Sequence, residues 1–225
     1  MISVDSRSLR PAQLWNSTVG KKIVMALTGA IGVGYLVAHV SGNLLVFAGP
    51  EKINTYAALL KSNPGLLWTA RTILIVAVLL HIIAAYQLAR TSQKSRPISY
   101  KRWRAVGSDF ASRTMRWTGP LVGLFIVYHL LHFTLGTVHP NFDERNVYHN
   151  VISGFQVWYV SAIYIIAMLA LSLHLYHGAW SMFQSVGLNH PKYNRLVRAF
   201  TTIITIVVVL GFISIPVAVL LGFIA

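Results

Sequence analysis

The chain has 225 residues, of which 55% are hydrophobic and 11% charged, with a mean hydropathy of +0.60. That is too apolar and too sparsely charged for an ordinary soluble domain, and it places the chain in a membrane. A formal charge of +14 would point to nucleic acid in a soluble protein, but here the basic residues cluster between apolar runs, which membrane topology explains better. The absence of cysteine excludes disulfides, thiolate-held iron–sulfur clusters and thioether-linked haem, so a metal must be held by histidine or oxygen.

The first nineteen residues are polar, with Arg7, Arg10 and Pro11, and no small-residue cleavage site follows; the first apolar run is expected to stay in the protein. Five runs, at roughly 20 residues each, are long enough to cross about 30 Å of hydrocarbon as helix. They predict an all-α integral membrane bundle, one domain over 1–225, with spans at about 21–47, 66–90, 115–138, 155–184 and 196–223. Helix is the expected form because lipid offers no partner to unpaired backbone groups. Gly49, Pro50, Asn63 and Pro64, then Pro97, then His139, Pro140 and Asn141, then Asn189 to Asn194 mark the connections as loops and turns.

Lys and Arg orient the bundle. One side collects Arg7, Arg10, Lys21, Lys22, Arg90, Lys94, Arg96, Lys101, Arg102, Arg104, Arg113, Arg116, Lys192, Arg195 and Arg198; the other has Lys52, Lys61, Arg71 and Arg145, nearly balanced by Glu51, Asp143 and Glu144. The positive-inside rule puts the N-terminus in the cytoplasm and the C-terminus outside.

Four of the five spans carry histidine: His39, His81, the pair His129 and His132, and the pair His174 and His177. An ionisable side chain at membrane depth is costly and reads as functional. His81 lies nine residues before Arg90 and His174 ten before Gln184, which puts both roughly 14 to 16 Å from the inner boundary. His39, His129 and His132 lie roughly 20 to 26 Å from it. Two histidines at each depth, on different helices, are what two bis-histidine haems require: an inner pair from spans two and four, and an outer pair from spans one and three.

Residues three apart share a helix face, so the spacing leaves His129 and His132 both open, with depth slightly favouring His132. For the fourth span, Gly178 one turn after His174 would let a porphyrin edge approach the backbone, which favours His174 over His177. Gly29, Gly32, Gly34, Gly42 and Asn43 suit either close helix packing or haem clearance. His139, His149 and His190 fall in loops and read as solvated surface residues.

These residues resemble the cytochrome b membrane anchor of succinate:quinone oxidoreductases (complex II), in its single-chain, five-helix, two-haem form. The resemblance covers nearly the whole chain. It rests on KKIVMALTGAIGVGYLVAHVSGNLLVF with His39 and Asn43, on LLHIIAAYQL with His81 42 residues after His39, on SRTMRWTGPLVGLFIVYHLLHF, and on LSLHLYHGAW. It implies His129 as the third-span ligand and agrees with His174. The haem pairs are then His81 with His174 (inner) and His39 with His129 (outer).

The resemblance further implies two haem b, a membrane quinone expected to be menaquinone, and partnership with a flavoprotein that oxidises succinate and an iron–sulfur protein. The setting is a bacterial cytoplasmic membrane and the tricarboxylic acid cycle, in a complex that can form a higher oligomer. Electrons would pass from the iron–sulfur partner through the inner and outer haems to quinone, and this chain would have no dicarboxylate site. Ser17, Lys21, Arg113, Arg116 and Trp117 lie where inner propionates or quinone oxygens would meet the interface. The basic loop from Lys94 to Arg104 could dock the iron–sulfur partner or act only as a topology signal.

Some fumarate-reducing members carry a membrane Glu two residues before the last ligand; here that position is Ser172, which leans toward succinate oxidation. The alternatives are the anchor of a quinol:fumarate reductase and the cytochrome b subunit of a hydrogenase or formate dehydrogenase. A proton-relaying transporter would need broken helices and an internal repeat, and the sequence has neither a convincing repeat nor an acidic residue within the apolar spans.

Overall fold

A computed structural model describes residues 15–95, 98 and 108–225. Arg7, Arg10, Arg96, Lys101, Arg102 and Arg104 lie outside the described residues, as does most of the basic loop. The described residues are helical, in the order α1 (Thr18–Asn43), a 3₁₀ turn (Leu44–Ala48), α2 (Pro50–Lys61), α3 (Pro64–Lys94), α4 (Phe110–His129), a π turn (Leu130–Thr134), α5 (Val147–Gln156), α6 (Trp158–Ser185) and α7 (Pro191–Leu220). Four helical segments are long and apolar enough to cross a membrane: Thr18–Ala48, Pro64–Lys94, Trp158–Ser185 and Pro191–Leu220. The fifth expected span differs. Its α-helix begins at Phe110 with Arg113 and Arg116 in its first two turns, and it leaves α geometry at His129, well before residue 138.

Side-chain caps set most helix starts by satisfying first-turn N–H groups that have no partner within the helix. Ser17 Oγ accepts from Gly20 N at 2.9 Å, Asn63 Oδ1 from Leu66 N at 3.0 Å, Asp109 Oδ1 from Ser112 N at 2.7 Å and Asn146 Oδ1 from His149 N at 3.0 Å. Pro64 and Pro191 occupy first-turn positions, where a missing N–H costs nothing. Gly49, at φ +94°, separates the 3₁₀ turn from α2, a conformation that side-chain-bearing residues rarely adopt.

Two connections expected as loops contain helices, α2 and α5. They are tied together at one end of the bundle: Asn54 Nδ2 donates to Asn146 Oδ1 (3.0 Å), Tyr148 N to Asn54 Oδ1 (3.0 Å) and Lys61 Nζ to the Glu144 carbonyl (2.7 Å). The expected fourth span from 155 is also split. Val157 is extended (φ −77°, ψ 104°), α6 starts at Trp158, and Ser161 Oγ donates to the freed Phe155 carbonyl at 2.6 Å.

The long helices pack in a definite order. α3 lies along α1, α1 along α6, and α4 along α6, while α7 backs α6 and α1 from the other side. Neither α3 with α4, nor α3 with α6, nor α1 with α4 forms extended packing. The result is a trough with α1 and α6 as its floor and α3 and α4 as its walls. Buried Val40, Met168, Leu171, Leu175, Val208 and Val209 hold α7 beneath the floor. Val46, Ile53, Val151, Ile152, Phe155, Val160, Ile215 and Val219 close the end where α2 and α5 sit.

On α3 only Ala77 and Ala84 are buried, while Ile75, Leu79, Ile82 and Ile83 are exposed. So continuous an apolar exterior is disfavoured in water and fits a multi-pass membrane protein. The starts of α4 and α7 meet the end of α6, at the Asp109–His177 and Phe183–Phe200 contacts, and the start of α1 faces the end of α3 across a cleft lined by Thr18, Lys22, Leu88 and Thr91. Lys21, Lys22, Arg90, Lys94, Arg113, Arg116, Lys192, Arg195 and Arg198 all belong to that end.

Candidate functional site: two histidine pairs in the trough

Each of the four trough helices contributes one of the histidines singled out in the sequence: His39 from α1, His81 from α3, His129 from α4 and His174 from α6. They meet across the two diagonals where the helices do not pack. The His39 and His129 rings have centroids 5.8 Å apart, and those of His81 and His174 6.3 Å apart. An imidazole nitrogen sits about 2 Å from a first-row metal it ligates and its ring centre about 1 Å further out, so imidazoles on opposite sides of one metal have centroids about 6 Å apart. Both pairs match that spacing. Among the described residues, no group of three or more His, Asp or Glu side chains is placed to hold a metal ion.

Hydrogen bonds define how the inner pair presents its nitrogens. Thr28 Oγ1 lies 2.7 Å from the Val24 carbonyl, to which it donates, and 3.1 Å from His81 Nδ1. The Met25 backbone also hydrogen-bonds the His81 ring, so α1 holds the ring at two points. His174 Nδ1 is buried with no hydrogen-bond partner. In the outer pair, His39 stacks on Tyr35 with centroids 5.1 Å apart, and the Asn43 amide, 3.3 Å from His39 Nδ1, donates to the His39 carbonyl at 2.7 Å.

The glycines divide into two kinds. A Cβ on Gly29 would stand 3.7 Å from His81 Cε1, and one on Gly119 3.7 Å from His174 Cε1, so these backbones lie directly against the inner imidazoles. Cβ atoms on Gly32, Gly34, Gly123 and Gly178 would meet nothing within 4 Å. Gly32 lies two turns before His39 on the same face of α1. These positions leave open space along α1, α4 and α6. Gly42 differs: a Cβ there would approach Tyr56 Cε1 to 2.6 Å, so it serves the packing of α2 on α1.

The other histidines separate clearly. His132, in the π turn, is fully buried, hydrogen-bonded through Nδ1 to Tyr164 Oη (2.9 Å) and stacked on Tyr128 and His139. His177 lies 3.9 Å from Asp109 at the basic end. His139 and His149 are not the solvated loop residues expected: both are half-buried, donating through Nε2 to the carbonyls of Asn150 (2.9 Å) and Asn141 (3.1 Å). The loop between the π turn and α5 folds back onto the bundle, which loop composition does not reveal. His190 is exposed and caps α7.

At the basic end, Lys21 is half-buried, Arg113 and Arg116 are exposed, and Trp117 is 76% exposed. Ser17 serves as the cap of α1. Thr18, Lys22, Leu88, Thr91, Ser92 and Ser95 line an open cleft of about 450 Å³ between α1 and α3, apart from the histidines. Ser172 Oγ donates back to the Leu169 carbonyl at 2.7 Å. Thr28 and Tyr164 were not singled out in the sequence, because each meets its histidine across at least 32 residues of chain. Comparison of the chain with family models, with curated proteins and with solved structures returns no match.

Proposed function

We propose that this chain is a di-haem cytochrome b, the membrane anchor of a succinate:quinone oxidoreductase. The carrying observation is that the four trough helices each supply one histidine and that these meet as two pairs, at 5.8 and 6.3 Å. His81 and His174 would hold the inner haem b, and His39 and His129 the outer. Haem bound at each pair would supply one-electron redox chemistry.

The chain's own residues do the positioning. Thr28 fixes the ring orientation of His81, Asn43 and Tyr35 flank His39, and Gly29, Gly32, Gly119 and Gly123 keep side chains out of the space beside the ligands. In this reading α4 with its π turn is a fifth crossing, completing the five-span bundle. The basic end faces the cytoplasm, where Lys21, Arg113 and Arg116 suit propionate or quinone oxygens and the iron–sulfur and flavoprotein partners dock.

The test is purification of the chain from a bacterial membrane with any partners it retains. A dithionite-reduced b-type spectrum with two haems per chain, reduced also by succinate, supports the proposal. A haem-free chain, or haems that succinate leaves oxidised in the intact complex, contradicts it.

A further inference from the structure

One hydroxyl lies between two of the outer histidines. Tyr164 Oη is 2.9 Å from His132 Nδ1 and 3.4 Å from His129 Nδ1. Tyr164 is buried on α6, with its ring held edge-on by Phe125 and Phe155 at centroid distances of 5.0 and 4.9 Å. His132 has no freedom to turn away. It is stacked on Tyr128 (5.6 Å, 14°) and on His139 (4.8 Å, 26°), and a Cβ on Gly154 would come within 3.0 Å of its Cε1. His132 Nε2 is buried without a partner, so Nδ1 is its hydrogen-bonding nitrogen.

A tyrosine hydroxyl has one proton to give, so the chain His129–Tyr164–His132 can run in only two senses. If Tyr164 gives its proton to His129 Nδ1, His129 carries its own proton on Nε2, and the lone pair a metal needs is lost. If Tyr164 gives its proton to His132 Nδ1, its oxygen accepts from His129 Nδ1–H and His129 Nε2 stays bare. The first sense is incompatible with a metal on Nε2, so the di-haem reading selects the second, in which His132 carries its proton on the buried Nε2.

We propose that Tyr164 and His132 are positioning residues that hold His129 in the tautomer whose bare Nε2 serves the outer pair with His39. This rests on the di-haem reading, and the measurements separate the two. Histidine ligands are oriented and made more basic by a partner on their other ring nitrogen, and loss of that partner commonly weakens metal binding 10- to 100-fold.

The experiment measures haem content and the two midpoint potentials in the full chain purified with its partners. Tyr164→Phe keeps the ring and removes the hydroxyl. The expected result is two retained haems, an unmoved inner potential, and an outer potential raised by roughly a tenfold change in the oxidised-to-reduced ratio, about 59 mV for one electron. His132→Phe leaves the Tyr164 proton no acceptor except His129 Nδ1, so outer-haem affinity falls roughly 10- to 100-fold. His132→Asn, which restores an acceptor oxygen near the Nδ1 position, recovers it, and the double variant Tyr164→Phe with His132→Phe returns to the Tyr164→Phe behaviour.

An outer potential that ignores Tyr164→Phe, or losses that simply add in the double variant, overturns the assignment. If His132→Phe loses both haems, its packing has failed and Tyr164→Phe with His132→Asn decide by the same criteria. A wild-type chain without haem overturns the underlying reading, whereas a two-haem chain indifferent to the hydroxyl overturns only the positioning role.

Discussion

Replacing Gly32 with leucine separates a cofactor seam from mere loose packing. A Cβ at Gly32 meets no atom within 4 Å, so the added side chain starts into open space. Leucine also favours the helical backbone over glycine, by somewhat less than the roughly 0.8–1 kcal/mol that separates glycine from alanine, so the stability of α1 should hold or rise slightly. Gly32 lies on the His39 face of α1, so the same side chain would stand in the space a macrocycle needs. Overfilling a packed site costs about 1–3 kcal/mol, which is roughly a five- to 150-fold loss of affinity. Gly34 is the internal control: it is equally open but turned well away from the His39 face, so Gly34→Leu should leave haem content unchanged. The assay is haem per chain after purification, together with the melting temperature. Equal haem in the two variants, or a Gly32→Leu chain that fails to fold, would refute the reasoning.

Thr28→Val removes the hydroxyl 3.1 Å from His81 Nδ1 while keeping the side chain's shape, and the Met25 backbone stays as a partner of the ring. Loss of that one hydrogen bond costs about 0.5–1.5 kcal/mol, so haem titration should show the inner site weakened, the outer site unchanged, and Thr28→Ser near wild type. Gly211→Ala drives a Cβ to 2.6 Å from Val40 Cγ2, which is buried between α1 and α7. The expected loss is about 1–3 kcal/mol in thermal or detergent unfolding, largely recovered by adding Val40→Ala. The Asp109 carboxyl lies below its ordinary pKa, chiefly because the Ser112 N–H donates to it at the start of α4. Its stabilisation is therefore present above the unfolded value and fades as pH falls from about 4 through the folded value. Asp109→Asn should keep the cap and abolish that acid dependence, and Asp109→Ala should lose about 1 kcal/mol at neutral pH.

Much of this arrangement is legible in the sequence because a bilayer imposes simple rules. Apolar length marks the long helices, and the Lys and Arg clusters fix which ends lie together. Residue counting from those clusters brings His81 level with His174 and His39 level with His129 or His132, slightly nearer His132; the structure sets the ring of His174 beside His81 and that of His129 beside His39. The choice between His129 and His132 was not legible from spacing. Residues three apart share a helix face, but the π turn after His129 and the Tyr164 hydroxyl carry His132 toward His139. The early start of α4 was hidden because Arg113 and Arg116 interrupt the apolar signal, although Asp109 and Ser112 form a recognisable cap. α2 and α5 were hidden because short helices that lie against a bundle end lack the length by which spans are recognised. Thr28 and Tyr164 look like ordinary polar residues within apolar runs until the fold sets them beside His81 and His129.

The central claim, that the four histidines act as two specific pairs, is tested most directly by counting haems per chain in a set of alanine variants. His81→Ala, His174→Ala and the two together should each retain one haem, with the same spectrum in all three. His39→Ala and His129→Ala, alone or combined, should retain the other, and His81→Ala with His39→Ala should retain none. Two haems surviving any single substitution, or His81→Ala with His174→Ala removing both, would contradict the pairing.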